Sequence, residues 1–175
     1  DEFYVDNPKV FLSKISYPYS VVSGIAVEYY LASSDLAKID FNKPIKDVLA
    51  DIRYYKAENS EIRFFRHSRK LNWPNGASWP KHLGVVYNKQ IVYRHYKYRS
   101  LSQIETRLRT RQESIELFEQ WKVSFEDCIV KDTKGLSYDN RDGKLEFNWK
   151  KIKKYRRSLM KNLILFLMKL LRIWP

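Results

Sequence analysis

Residues 90–103 read QIVYRHYKYRSLSQ. The first half, over 90–96, is a short strand of β-branched and aromatic residues mixed with polar ones. The second half opens a helix. Ser100 with Gln103 three positions later is a capping box, in which each side chain satisfies an orphan backbone N–H of the first turn. The helix is expected to run to about Trp121. Leu101, Ile104, Leu108, Ile115 and Phe118 supply its apolar stripe, with Arg107, Arg109 and Arg111 interleaved. A strand feeding directly into a capped helix points to an α/β chain.

Upstream, residues 83–87 and 90–96 read as two short strands joined around Asn88-Lys89. Before them, residues 71–80 (LNWPNGASWP) hold two Pro, an Asn-Gly and two Trp, which is loop chemistry. Residues 61–66 (EIRFFR) alternate as a strand. Residues 35–56 are charged and irregular, with Pro44 starting a helix through Leu49 and Ile52. Residues 21–30 (VVSGIAVEYY) form a mostly apolar run, read as a buried strand interrupted by Gly24. Residues 8–15 read as a short helix, with Asn7 as cap and Pro8 in its first turn. Downstream, residues 139–145 form a turn, and a last helix is expected from near Trp149 to Ile173.

The 175 residues are enough for a hydrophobic core, and 44% are apolar. Aromatics make up 15%, and thirteen residues are Tyr. Such rings either fill the margins of a core or stack on flat ligands such as sugars and nucleobases. The formal net charge of +13 admits a nucleic acid, an anionic membrane surface or a polyanionic substrate. Its distribution narrows the choice. No acidic residue follows Glu146, whereas Lys150, Lys151, Lys153, Lys154, Arg156, Arg157, Lys161, Lys169 and Arg172 do. No nucleic-acid-binding motif appears, so no nucleic-acid partner is expected. Cys128 is the only cysteine, which excludes an intramolecular disulfide and a Cys-based metal site. The chain opens on Asp1-Glu2-Phe3-Tyr4 without a Met, as expected of part of a longer protein.

The segments DEFY (1–4), EIRFFR (61–66), NGASWP (75–80) and HYKYRSLSQ (95–103) resemble the second half of bacterial family-2-like glycosyltransferases. The likeness covers nearly all of residues 1–125 and is most specific over 93–103. It implies the C-terminal part of a GT-A fold, an α/β mixed sheet with flanking helices. Residues 1–125 would form the acceptor-side part, 126–148 a connecting segment and 149–175 a basic amphipathic C-terminal helix. The implied activity moves a sugar from a nucleotide-sugar donor to an acceptor hydroxyl, in bacterial envelope polysaccharide or glycolipid synthesis. The donor pocket would precede Asp1, and the 175-residue chain would be inactive alone.

By the same resemblance, Asp1 is the last Asp of an Asp-x-Asp motif. Asp1, Glu2 and His95 would hold Mg²⁺ or Mn²⁺, hard ions suited to oxygen ligands and a diphosphate. Lys97 and Arg99 would bind the donor and offset leaving-group charge. Trp73, Asn75 and Trp79 would cover the acceptor, carbohydrate or lipid-linked. A general base is needed, and Glu28 and Glu61 are the candidate catalytic acids; burial of Glu28 could raise its pKa. Ordinary structural roles stay open for each. His95 can be a strand histidine, Arg99 can cap or pair with Glu105, and His67 and His82 suit surface loops.

Residues 159–174 are apolar except Lys161, Asn162, Lys169 and Arg172, which gather on one side of a helical wheel. With the basic run before it, this segment reads as an in-plane anchor on an anionic membrane. A helix packed on its own domain, or on a missing half, is the other reading. The expected location is cytoplasmic, peripheral at the inner face of the membrane. Two further functions stay open: a non-enzymatic basic protein binding membrane or nucleic acid, and a degenerate transferase module.

Overall fold

The computed structural model describes residues 2–69, 71–75, 80–81, 83–112, 124–148, 152 and 159–173. They form a mixed α/β arrangement with an open mixed sheet and flanking helices. The strands are β1 (Glu2–Tyr4), β2 (Tyr19–Ala32), β3 (Tyr54–Phe65), β4 (Val85–Val86), β5 (Ile91–Tyr96), β6 (Ile129–Val130) and β7 (Ser137–Tyr138). The helices are α1 (Pro8–Ser13), α2 (Ser33–Leu36), α3 (Ile45–Asp51), α4 (Leu101–Gln112) and α5 (Leu159–Leu170). The main path of the sheet runs β1-β5-β2-β3-β7, with β4 and β6 also on β2. Both β4 and β6 pair with β2 in parallel, and β7 pairs with β3 antiparallel.

Contacts divide the chain into two compact units. One consists of Asp1–Glu2, Val27–Lys56 and His95–Phe147, the other of Phe3–Ala26, Ala57–Arg94 and Asn148–Pro175. In the first unit Tyr29, Leu31, Ile52, Tyr55, Tyr96 and Ile104 are buried. Tyr29 stacks on Tyr96 with ring centroids 4.6 Å apart and lies 5.6 Å from Tyr55. Several of the Tyr residues are therefore core. The start of α4 follows the capping box, with one shift. Ser100 Oγ accepts from Gln103 N–H at 3.2 Å, and Gln103 Oε1 accepts from the N–H of Arg99 at 2.8 Å. Helix 101–121 is described only to Gln112; its expected continuation lies outside the described residues.

In the second unit Val21 and Val22 point to opposite faces of β2, as neighbours in a strand do. Val21 packs with Ile62, Leu83 and Val86. Val22 packs with Ile15 and Ile91, joined by Tyr4, Phe11, Leu12, Tyr19, Phe64 and Tyr87. Asn7 caps α1 as expected, its side chain accepting from the N–H groups of Lys9 and Val10.

Three expectations change. Gly24 does not interrupt the strand, which runs unbroken from Tyr19 to Ala32. A Cβ at Gly24 would stand 2.6 Å from Arg63 Cγ and 3.0 Å from Tyr93 Cε1. The glycine gives room for the Arg63 guanidinium to lie over the Tyr93 ring, 3.8 Å from its centroid. The strand expected at residue 61 begins at Tyr54, inside the stretch read as irregular, because Tyr54 and Tyr55 find partners in β7. The final helix is described from Leu159 to Leu170, and Ile152 is buried and not helical.

Candidate functional site

Strand alternation places Glu28 and Tyr30 on one face of β2, the two partly exposed positions in a strand otherwise buried from Ser20 to Ala32. Tyr30 O–H donates to Glu28 Oε2 at 3.1 Å. From the neighbouring strand β5, His95 Nδ1 stands 3.9 Å from Glu28 Oε1. That distance is too long for a hydrogen bond, so the contact is electrostatic. His95 in first place, then the Tyr30 hydroxyl and the charge of Lys97, hold the Glu28 carboxyl below its ordinary value. Desolvation pushes the other way and is overcome. The expectation that burial would raise this pKa is therefore corrected: the polar partners outweigh it.

Strand β5 lies between β1 and β2. His95 is thus borne by a strand with the Glu2 strand on one side and the Glu28 strand on the other. Glu2 is exposed, and Glu2, Glu28 and His95 fall in the same unit. Asp1 lies outside the described residues. Among the described residues, no three of His, Cys, Asp and Glu gather closely enough to hold an ion.

Lys97 and Arg99 follow in the same unit. Lys97 Nζ is 5.5 Å from the Tyr98 ring centroid, and its carbonyl accepts from Arg107 at 2.5 Å. The main chain of Arg99 belongs to the helix cap.

Glu61, Trp73 and Asn75 belong to the other unit. Glu61 Oε1 accepts from Tyr93 O–H at 2.6 Å and lies 3.2 Å from the Arg63 guanidinium. Burial, and then the hydrogen bond to Glu61, push the Tyr93 phenol up. Trp73 is exposed and its ring lies 6.0 Å from that of Phe65; Asn75 is exposed too. Trp79 lies outside the described residues, as does His82.

The sequence reading missed Tyr30, Arg63 and Tyr93. Tyr30 had a readable signal: it sits two residues from Glu28, on the same strand face. Arg63 and Tyr93 had none, since they meet only where β2 carries a glycine. Compared with known protein families, curated proteins and solved structures, the chain matches none.

Proposed function

We propose that the chain is the acceptor-side part of a GT-A-type glycosyltransferase that uses a nucleotide-sugar donor. The observation that carries this reading is the placement of His95 between the Glu2 strand and Glu28. A histidine whose Nδ1 faces a carboxylate keeps Nε2 for a ligand. The donor set suits the resemblance: Glu2 and His95, with Asp1, would hold Mg²⁺ or Mn²⁺. Such an ion supplies Lewis-acid stabilisation of the departing diphosphate. Glu28, kept ionised, gives His95 an electrostatic partner 3.9 Å from Nδ1. Lys97 and Arg99 place positive charge after the same strand, where it offsets phosphate charge. Glu61 is exposed and engaged by Tyr93 and Arg63, and the exposed Trp73 offers a face to a sugar.

The test is an assay of metal-dependent donor hydrolysis and sugar transfer with a panel of nucleotide sugars. It is run on the full product of the gene and on residues 1–175 alone. Manganese-dependent turnover by the full product, lost in His95→Ala, is the expected result. Absence of turnover with every donor, or undiminished turnover in His95→Ala, would reject the reading.

A further inference from the structure

The C-terminal helix α5 packs the opposite way round from a helix of a soluble domain, whose apolar side faces the core. Two of its polar residues, Asn162 and Lys169, face the protein, while Lys161 is exposed. Asn162 Oδ1 accepts from Val86 N–H at 2.9 Å, and Asn162 Nδ2 donates to the Val86 carbonyl at 3.1 Å. The amide thus serves the edge of β4 as a neighbouring strand would. One helical repeat later, Lys169 Nζ donates to Ser20 Oγ at 3.2 Å, and the Lys169 carbonyl accepts from the Tyr17 hydroxyl. Phe166 on the same side lies 5.8 Å from the Tyr19 ring. Asn162, Leu165, Phe166 and Lys169 span roughly 100° of the helix, the spacing of one face.

On the opposite side stand Met160, Leu163, Ile164, Leu167 and Leu171. They are 48% to 68% exposed. Leu159 and Leu170 extend the patch and are also exposed. Seven large apolar side chains at one exposed element form a surface built to be covered.

The charge of the sequence next to α5 indicates what covers the patch. The sequence entering α5 carries Lys150, Lys151, Lys153, Lys154, Arg156 and Arg157, and no acidic residue follows Glu146. At the helix itself Lys161 and Arg172 are exposed and add positive charge. A partner that presents hydrocarbon beside a dense negative charge satisfies both features. No helix among the described residues is long and apolar enough to cross a membrane. An orientation in the plane of the interface fits instead.

We propose that α5 docks its unit on an anionic lipid bilayer. Met160, Leu163, Ile164, Leu167 and Leu171 enter the acyl boundary, and Asn162 and Lys169 fasten the helix to β4 and β2 behind it. The basic sequence that precedes α5 supplies charge that favours anionic headgroups. This inference does not depend on the transferase reading. In membrane terms Asn162 and Lys169 attach the helix to the protein, and the exposed apolar side is left for the bilayer.

The test is co-sedimentation with vesicles of phosphatidylcholine alone and of phosphatidylcholine with about 30% phosphatidylglycerol, the second supplying negative surface potential. The chain is expected to bind the anionic vesicles and to be released by salt. Leu163→Asp with Leu167→Asp should weaken binding by roughly ten-fold or more, because each substitution puts a charge into the inserting face. Both positions are exposed, so the double variant keeps the fold, checked by circular dichroism. Lys153→Ser, Lys154→Ser, Arg156→Ser and Arg157→Ser together should lower binding to anionic vesicles several-fold. Failure to bind anionic vesicles, or equal binding by the Leu163→Asp/Leu167→Asp variant, overturns the proposal. So does a patch that is covered by a second copy. In that outcome the wild-type chain is dimeric by sedimentation, the double variant is monomeric, and neither binds lipid.

Discussion

Arg141 places its Nη1 3.0 Å from the buried Oδ2 of Asp139, while its Nη2 closes the carbonyl end of α3. The acceptors there are the carbonyls of Leu49, Ala50 and Ile52, at 2.6, 2.8 and 2.9 Å. Asp139 is 1% exposed and also accepts from the Tyr29 hydroxyl at 2.5 Å and from the Arg141 main chain. Arg141 itself has φ 62, a left-handed turn residue. The turn over 139–143 is therefore held to α3 and to the stacked Tyr core by one charge pair.

Removing either partner leaves an uncompensated charge. Asp139→Ala and Arg141→Ala should each cost about 3 kcal/mol or more, since a broken buried pair loses more than the pair contributed. Urea unfolding checks this, and the double variant should cost less than the two single losses added. Fully additive losses would show that the two side chains act separately.

Gly24→Ala should destabilise by about 1–3 kcal/mol, because the new methyl meets Arg63 and Tyr93 in a filled space. With Arg63→Ala in the background the penalty should shrink, as the obstructing Cγ contacts are relieved. Equal penalties in both backgrounds would mean that the strand backbone, and not the stacked pair, resists the methyl.

The pH dependence has two limbs. Glu28 is depressed in the folded chain, so its contribution is present above the ordinary carboxylate range and is lost as pH falls through the folded value. Glu28→Gln should flatten the acid limb of a stability profile. Tyr93 is raised, so its contribution is present below the ordinary phenol value of about 10 and is lost as pH rises beyond it. Tyr93→Phe should remove that alkaline loss. Unfolding midpoints measured across pH separate the two.

If His95 holds the ion, His95→Ala should lower both Mn²⁺ affinity and turnover of the full product by roughly 100-fold. Glu28→Gln should have a smaller effect of about 10-fold, as expected for a group that orients a ligand. A Glu28→Gln loss larger than that of His95→Ala would transfer the chemistry to Glu28.

Asn7→Ala should cost about 1 kcal/mol through loss of the Oδ1 that accepts from two N–H groups at the start of α1. A thermal melt reads it directly, and an unchanged midpoint would mean that Pro8 alone sets the helix start.

The features legible in the sequence are those whose partners lie within a few residues. Asn7 reaches Lys9 and Val10, Ser100 and Gln103 exchange bonds across one turn, and the apolar run 21–30 lies within a buried strand. Local spacing determines these, and with them the α/β class. Tertiary structure alone decided the rest. Tyr54 is a strand residue because Tyr138 pairs with it. Gly24 is a gap because Arg63 and Tyr93 meet there. The sequence determined that α5 has an apolar and a polar side, but not which side faces the protein. Asn162 decided that by bonding the open edge at Val86, an acceptor and donor 76 residues away along the chain. A backbone edge that needs partners can outrank the burial of leucines.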